Sequence, residues 1–249
     1  MSVYKITIAY DGTLYGGWQV QLNSIGIQTL IQKAIETVIR EKIDLTGAGR
    51  TDSGVHALGQ TAHFKTEQRI DSSKFLYSVN ALLPADIRVL QIEKREESFH
   101  ARYAAIGKTY RYRIDIVYDP FNRLYSWYIG YKVDLNLMQA ALNKMLGTHD
   151  FKGFANESHS GSAAHDSVRT LTRAEIIQEG NELSIWFEAD GFLYKMVRNL
   201  VGTAIDIARG QLPLDTIDTV FETLDRSKAG QTAPPQGLTL VQVVYPPNP

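Results

Sequence analysis

The sequence predicts an α+β fold: two ferredoxin-like βαββαβ halves joined into one mainly antiparallel sheet, with helices on one face and a cleft on the other. Three observations lead there. Hydrophobic periodicity switches repeatedly between two and 3.6, the signatures of strand and helix. The order strand, helix, strand, strand, helix, strand runs through residues 1–104, and a comparable order runs through 105–249. A chain of 249 residues with 44% hydrophobic content can bury one large core or two small ones. The repeat is one of element order, since no repeat of sequence is visible.

Residues 3–10 alternate, with Tyr4, Ile6, Ile8 and Tyr10 on one face and Lys5 and Thr7 on the other, as in a half-buried strand. Ile27, Leu30, Ile31, Ala34, Ile35, Val38 and Ile39 then fall at helical spacing, with Ser24 as a candidate cap. A short strand is expected over Ile43 to Thr46, a glycine-punctuated segment over Gly47 to Gly59, and a strand near Gln60 to Lys65. A helix opens at Asp71 or Ser72, carries Phe75, Leu76, Val79, Leu82 and Leu83, and stops at Pro84; residues 87–92 close the half as a strand.

In the second half Lys108 to Tyr118 alternates as a long strand, and Asp134 caps a helix that Gly147 terminates. Strands near Val168 to Gln178 and Leu183 to Ala189 flank the turn pair Gly180-Asn181, which predicts a hairpin. Helices over Phe192 to Arg209 and Asp215 to Leu224, and a strand over Gly237 to Tyr245, complete the set. Residues 156–167 are small, polar and aperiodic, and read as a mobile loop.

Composition narrows the chemistry. Without cysteine there are no disulfides, no thiolate-held iron-sulfur clusters and no thiol nucleophile. No apolar run approaches the roughly 18 residues of a membrane span. The N-terminus enters a strand at once, which leaves no room for a signal sequence and makes a soluble cytoplasmic protein the expectation. Lys and Arg number 26 against 27 Asp and Glu, so binding a polyanion would require local segregation of charge. One segment qualifies: Lys94, Arg95, Arg102, Lys108, Arg111 and Arg113 face only Glu96 and Glu97 in the same stretch.

The segment Gly47-Ala-Gly-Arg-Thr-Asp-Ser-Gly-Val-His-Ala57 stands where this fold needs only a short turn. Its three glycines allow left-handed backbone and close approach to a ligand, and Arg50 and Asp52 supply opposite charges two residues apart. A plain turn capped by Asp52, with Arg50 in water, accounts for the same residues without function. A dinucleotide or P-loop cradle does not fit, because the third glycine and the Gly-Lys-Ser/Thr are missing.

Gly49-Arg-Thr-Asp52-Ser-Gly-Val-His-Ala57 resembles the active-site motif of the tRNA pseudouridine synthase A (TruA) family. Further matching motifs are Tyr10 to Gln19, Ser98 to Arg102, Lys108 to Tyr112, His149 to Phe151, Phe192 to Asn199, Thr232 to Pro234 and Gly237 to Leu240, so the resemblance spans nearly the whole chain. It implies an isomerase that turns uridine into pseudouridine in the tRNA anticodon arm, at positions 38, 39 and 40. Asp52 would be the nucleophile, and Arg198 the cation that keeps it ionised against the effect of burial. Tyr110 would stack on the extruded uracil, Arg50 would hold the flipped nucleotide and its phosphates, and Leu238 or Leu240 would wall the base. The cleft would bind RNA, the active form would be a homodimer, and the isomerisation would need neither metal nor organic cofactor.

A non-catalytic RNA-binding module is the alternative, because RNA-recognition folds share this element order; yet Gln60-Thr-Ala-His-Phe-Lys65 lacks the glycine between aromatics that such modules carry. His149 with Asp150, His159, and His165 with Asp166 are the candidate metal ligands, but their spacing matches no helical two-histidine site.

Overall fold

The computed structural model describes residues 1–19, 25–156 and 166–247. It is α+β, with mixed but mainly antiparallel strand pairing and five α-helices among the described residues. The chain divides into two compact units, residues 1–106 with 239–249, and residues 107–238.

The first unit holds β1 (Ser2–Tyr10), α1 (Ile27–Ile39), β2 (Thr46–Gly47), β3 (His56–Thr66), α2 (Ser72–Leu82) and β4 (Ile87–Arg95). Strand β1 pairs antiparallel with both β3 and β4, and β2 pairs antiparallel with β3, giving the order β4-β1-β3-β2. The final strand, β10 (Leu238–Val244), runs parallel to β3 with Thr239 opposite His56 and Leu240 opposite Ala57. The expected inward face of β1 is buried as the alternation required. Asp71 caps α2 by accepting from the backbone N–H groups of Ser73 and Lys74. The proposed Ser24 cap of α1 lies outside the described residues; Gly26 occupies the cap position.

Two boundaries moved. Residues 43–45 are not strand, although Ile43 and Leu45 are buried, and β2 is a two-residue stub. Strand β3 begins at His56, four residues before the expected start, because the residues after Val55 pair with β1 as far as Ala57 opposite Tyr10. The connection that matters is therefore Ala48–Val55.

The second unit holds β5 (Gly107–Asp115), β6 (Trp127–Tyr128), α3 (Leu135–Lys144), β7 (Gly147–Asp150), β8 (Val168–Glu179), β9 (Glu182–Ala189), α4 (Met196–Ala208) and α5 (Thr216–Thr223). The antiparallel order is β5-β9-β8-β7, with β6 parallel to β5. Gly180, at φ +59°, turns the expected β8–β9 hairpin, and Asp134 caps α3 through the N–H groups of Asn136 and Leu137. Helix α4 starts at Met196 rather than Phe192, because Lys195 sits in the left-handed region at φ +59° and sets the chain's entry into the helix. Gly147 opens β7 instead of ending α3, which Met145 closes. The expected loop falls at 157–165 outside the described residues. No helix among the described residues is long and apolar enough to cross a membrane.

Candidate active site

In the first unit the Ala48–Val55 connection is gripped from below. Tyr10, the last residue of β1, is 4% exposed and its hydroxyl lies 2.8 Å from Thr51 Oγ1. Gln60 is fully buried; its Nε2 donates to the Gly49 carbonyl at 3.0 Å, and its side chain also hydrogen-bonds the Tyr10 hydroxyl. Burial pushes the Tyr10 phenol well above its ordinary pKa, opposed by the bonds to Thr51 and Gln60, so it remains a neutral donor and acceptor. The Trp18 N–H donates to the Thr51 carbonyl at 3.2 Å, and the Val55 N–H closes the turn onto the Asp52 carbonyl at 3.2 Å. Within this grip Thr51 is buried, Asp52 half-buried and Arg50 exposed.

Close packing accounts for the glycines of the Tyr10 to Gln19 motif. Gly17, at φ +94°, lies so near the turn that a Cβ would stand 2.9 Å from the Asp52 carbonyl carbon and collide with the Thr51 carbonyl. A Cβ on Gly12 would collide with the Val55 carbonyl. Of the glycines in the 47–57 segment, Gly54 takes a left-handed conformation at φ +78°, whereas Gly47 is there for space, since a Cβ would meet the Trp18 indole nitrogen at 2.5 Å. His56, buried at the start of β3, accepts the Gly12 N–H at Nδ1 (3.1 Å).

In the second unit Tyr110 lies on β5, 8% exposed, with the Phe192 ring edge-on at 5.0 Å. Two residues along, the fully buried Tyr112 donates its hydroxyl to the Pro234 carbonyl at 2.8 Å; burial raises its pKa, against the opposing charge of Arg198. Arg198 is the third residue of α4, and its Nε donates to the Ala233 carbonyl at 2.7 Å while the Ala233 N–H donates to the Arg198 carbonyl at 3.0 Å. That uses one of the guanidinium's five donors. Each residue of 230–233 is tied to α4: Gly230 N–H to Thr203, Gln231 N–H to Asp206, the Thr232 hydroxyl to Asn199, and Ala233 to Arg198. Arg226 braces the strap, donating to the Gly230 carbonyl, Asn199 Oδ1 and Thr232 Oγ1, each at 2.9 Å. Gly202 permits the contact, because a Cβ there would collide with the Gln231 carbonyl.

Sequence reasoning singled out Asp52, Arg50, Tyr110 and Arg198 but missed the residues that hold them. Gln60 carried a signal, as a polar residue in register with the core-facing Ala62 and Phe64. Asn199 and Asp206 did too, inside the apolar run of α4. Arg226 carried none. The basic stretch divides between the units, with Lys94, Arg95 and Arg102 in the first and Lys108, Arg111 and Arg113 in the second. Arg113 is neutralised by Glu182, and the Arg95 guanidinium packs over Phe99 at 4.6 Å. Leu240, one of two candidates for an apolar wall, is buried beside β3.

Of the histidines weighed for metal, His149 stacks on Phe221 at 4.4 Å, while Asp150 and Asp166 cap the N–H groups of Lys152 and Val168. His159 and His165 lie outside the described residues. Among the described residues no group of three or more histidine and carboxylate side chains is placed to hold a metal ion.

Residues 6–104 and 141–246 match the family model described as tRNA pseudouridine synthase. The chain is 49% identical over 248 residues to tRNA pseudouridine synthase A 1 of Protochlamydia amoebophila, covering 98% of this chain and 97% of the relative. It is 43% identical over 242 residues to tRNA pseudouridine synthase A of a Thermoanaerobacter species, covering 96% and 98%, and 41% identical over 250 residues to that of Streptococcus pneumoniae, covering 98% and 99%. Matches of this extent define the class, a tRNA pseudouridine synthase, which is an isomerase. Within that class the chain belongs to the tRNA pseudouridine synthase A (TruA) family.

Proposed function

We propose that this synthase isomerises uridines at positions 38, 39 and 40 of the tRNA anticodon stem-loop, with Asp52 as nucleophile. Asp52 attacks the target nucleotide, at C1′ of the ribose or C6 of the base. The N1–C1′ bond breaks, the uracil turns, C5 bonds to C1′, the bond to Asp52 breaks and frees the carboxylate, and the C5 proton leaves while N1 gains one. Arg198 pairs with the Asp52 carboxylate and supplies the charge that offsets the cost of its partial burial. Tyr110 stacks on the extruded base and Arg50 holds its phosphates. The chemistry is isomerisation without net redox or hydrolysis and runs without metal or cofactor.

The observation that carries this reading is the grip on the Arg50–Asp52 turn. A half-buried carboxylate stands on a backbone fixed from both sides by buried polar groups, the preorganisation a nucleophile requires. In the same proposal the two units are ferredoxin-like halves of one wide sheet, with helices on one face and an RNA-binding cleft on the other. The protein acts as a cytoplasmic homodimer, each cleft drawing on basic residues of both chains. Family membership over nearly the full length supports these features.

The test uses tRNA tritiated at C5 of its uracils. Asp52→Asn keeps the side chain's size and its turn chemistry, so tRNA binding is retained and tritium release falls to background. Turnover by Asp52→Asn above background would remove Asp52 from the nucleophile role.

A further inference from the structure

The buried polar residues of the first unit are arranged with more selectivity than stability needs. Tyr10 and Gln60 come from different strands, and both direct polar atoms at one short stretch of chain, Gln60 at the Gly49 carbonyl and Tyr10 at the Thr51 side chain. An interior Phe and an interior Leu or Met would fill the same space without the desolvation cost of a hydroxyl and a carboxamide. What the polar pair adds is geometry. Gln60 fixes the Gly49 carbonyl and Tyr10 fixes the Thr51 hydroxyl, so the residues immediately before and after Arg50 are both held, and Asp52 follows directly. Further ties are the main-chain bonds of Trp18 to Thr51 and Val55 to Asp52, and the Ser53 hydroxyl, which donates to the Tyr15 carbonyl at 3.0 Å. Gln60 is itself oriented, since its Oε1 accepts the Thr61 N–H at 3.0 Å and thereby sets which end of the carboxamide faces Gly49.

We propose that Tyr10, Thr51 and Gln60 form a positioning clamp for the nucleophile, setting the place of the Asp52 carboxylate through the backbone without touching the substrate. The proposal rests on the reading of Asp52 as nucleophile. Displacement of a reacting group by about 1 Å can lower turnover on the order of 100-fold, so loss of one clamp bond should appear in kcat. It should not appear in the KM for tRNA, since neither Tyr10 nor Gln60 is exposed to bind RNA.

The experiment compares Tyr10→Phe, Thr51→Val, Thr51→Ser and the double variant Tyr10→Phe with Thr51→Val by tritium release, with unfolding by urea measured on each. The expected result is kcat lowered roughly 10- to 100-fold in Tyr10→Phe and Thr51→Val, with KM within about twofold. Thr51→Ser, which keeps the hydroxyl, retains near-normal kcat, and the double variant is no slower than the slower single variant because both substitutions remove the same Tyr10–Thr51 bond. Should Tyr10→Phe fail to fold, the Thr51→Val and Thr51→Ser pair decides alone. Normal kcat in folded Tyr10→Phe, equal losses in Thr51→Ser and Thr51→Val, or additive losses in the double variant would each overturn the clamp. Asp52→Asn in the same assay separates the two ideas: if it is inactive while Tyr10→Phe is normal, only the clamp fails, and if it turns over, the nucleophile reading fails.

Discussion

Around Asp52 the buried groups that grip the turn are a phenol, a hydroxyl and a carboxamide, from Tyr10, Thr51 and Gln60. Around Arg198 the strap 230–233 is held to α4 largely through charged side chains. Asp206 accepts from the Gln231 backbone and side chain and from Arg209, and Arg226 ties three acceptors together. The difference follows from what each side has to present. On the Asp52 side the bonds that fix the turn are between neutral groups, so they hold it without adding charge beside the carboxylate. A guanidinium cannot lose its charge, so ionic groups farther along the same helix do not disturb its ionisation.

The comparison is broken most severely by removing the charge on the Arg198 side. Arg198→Met is expected to lower turnover on the order of 100-fold or more. If the lost cation is the partner of Asp52, the charged form of the nucleophile loses the support that the pairing gave it. The acidic limb of the pH–rate profile then moves to higher pH. Loss of a phosphate contact alone would weaken tRNA binding and leave that limb in place. Arg198→Lys should fall between, with charge kept and the two-point geometry lost.

Glycine substitutions probe the two supports themselves. In an exposed helix interior Gly→Ala gains about 1 kcal/mol. Gly202→Ala should instead destabilise by roughly 1 to 3 kcal/mol, because its Cβ collides with the Gln231 carbonyl of the strap. Gly12→Ala forces its Cβ against the Val55 carbonyl, so it should cost a similar amount and also lower kcat by shifting the Asp52 turn. Urea midpoints and kcat on the same preparations check both, and a stabilised Gly202→Ala would show that the strap yields.

These supports mark the limit of what the sequence made legible. The longer strands, the five helices and the caps at Asp71 and Asp134 are written in local periodicity and capping chemistry, so they were readable to within a few residues, whereas the short β6 and β7, too brief to show a period, were not. The Asp52 turn announced itself by glycines and opposite charges in one short stretch. The clamp did not, because Tyr10 and Thr51 are 41 residues apart and only strand pairing brings them together. Arg226 was silent for the same reason: its partner Asn199 is 27 residues away, and an arginine in a polar stretch reads as a surface residue. Strand β3 began earlier than expected because pairing with β1, a tertiary fact, extends it beyond its local propensity.

The last effect expected is one of pH, and it tests whether the neutral character of the first unit extends beyond the turn. His63 lies on β3, 6% exposed, accepts the Ala101 N–H at Nδ1 (3.1 Å), and has the His100 ring 4.7 Å away. Burial, with His100 and Lys65 nearby, lowers its pKa to about 4. A hydrogen bond that the ring donates to the Thr46 backbone opposes that shift. An unfolded chain protonates His63 near pH 6.5, so above that pH the residue is neutral in both states and contributes no pH dependence. As pH falls from about 6.5 toward 4 the unfolded state takes up the proton first, and stability declines with a slope approaching about 1.4 kcal/mol per pH unit. Below the folded pKa both states are charged and the decline from this residue stops. His100, whose pKa burial also lowers, adds to the decline in the same direction. His63→Gln keeps an acceptor for Ala101 and removes one titration, so its stability should fall less steeply over that interval, with a residual slope from His100. Hydrogen exchange of β3 amides against α4 amides locates the effect: protection in β3 should fall with acid in the parent protein and less in His63→Gln. Identical slopes for the two proteins between pH 6.5 and 4 would show that His63 takes up its proton as readily folded as unfolded, and that the neutral interior of the first unit ends at the Asp52 turn.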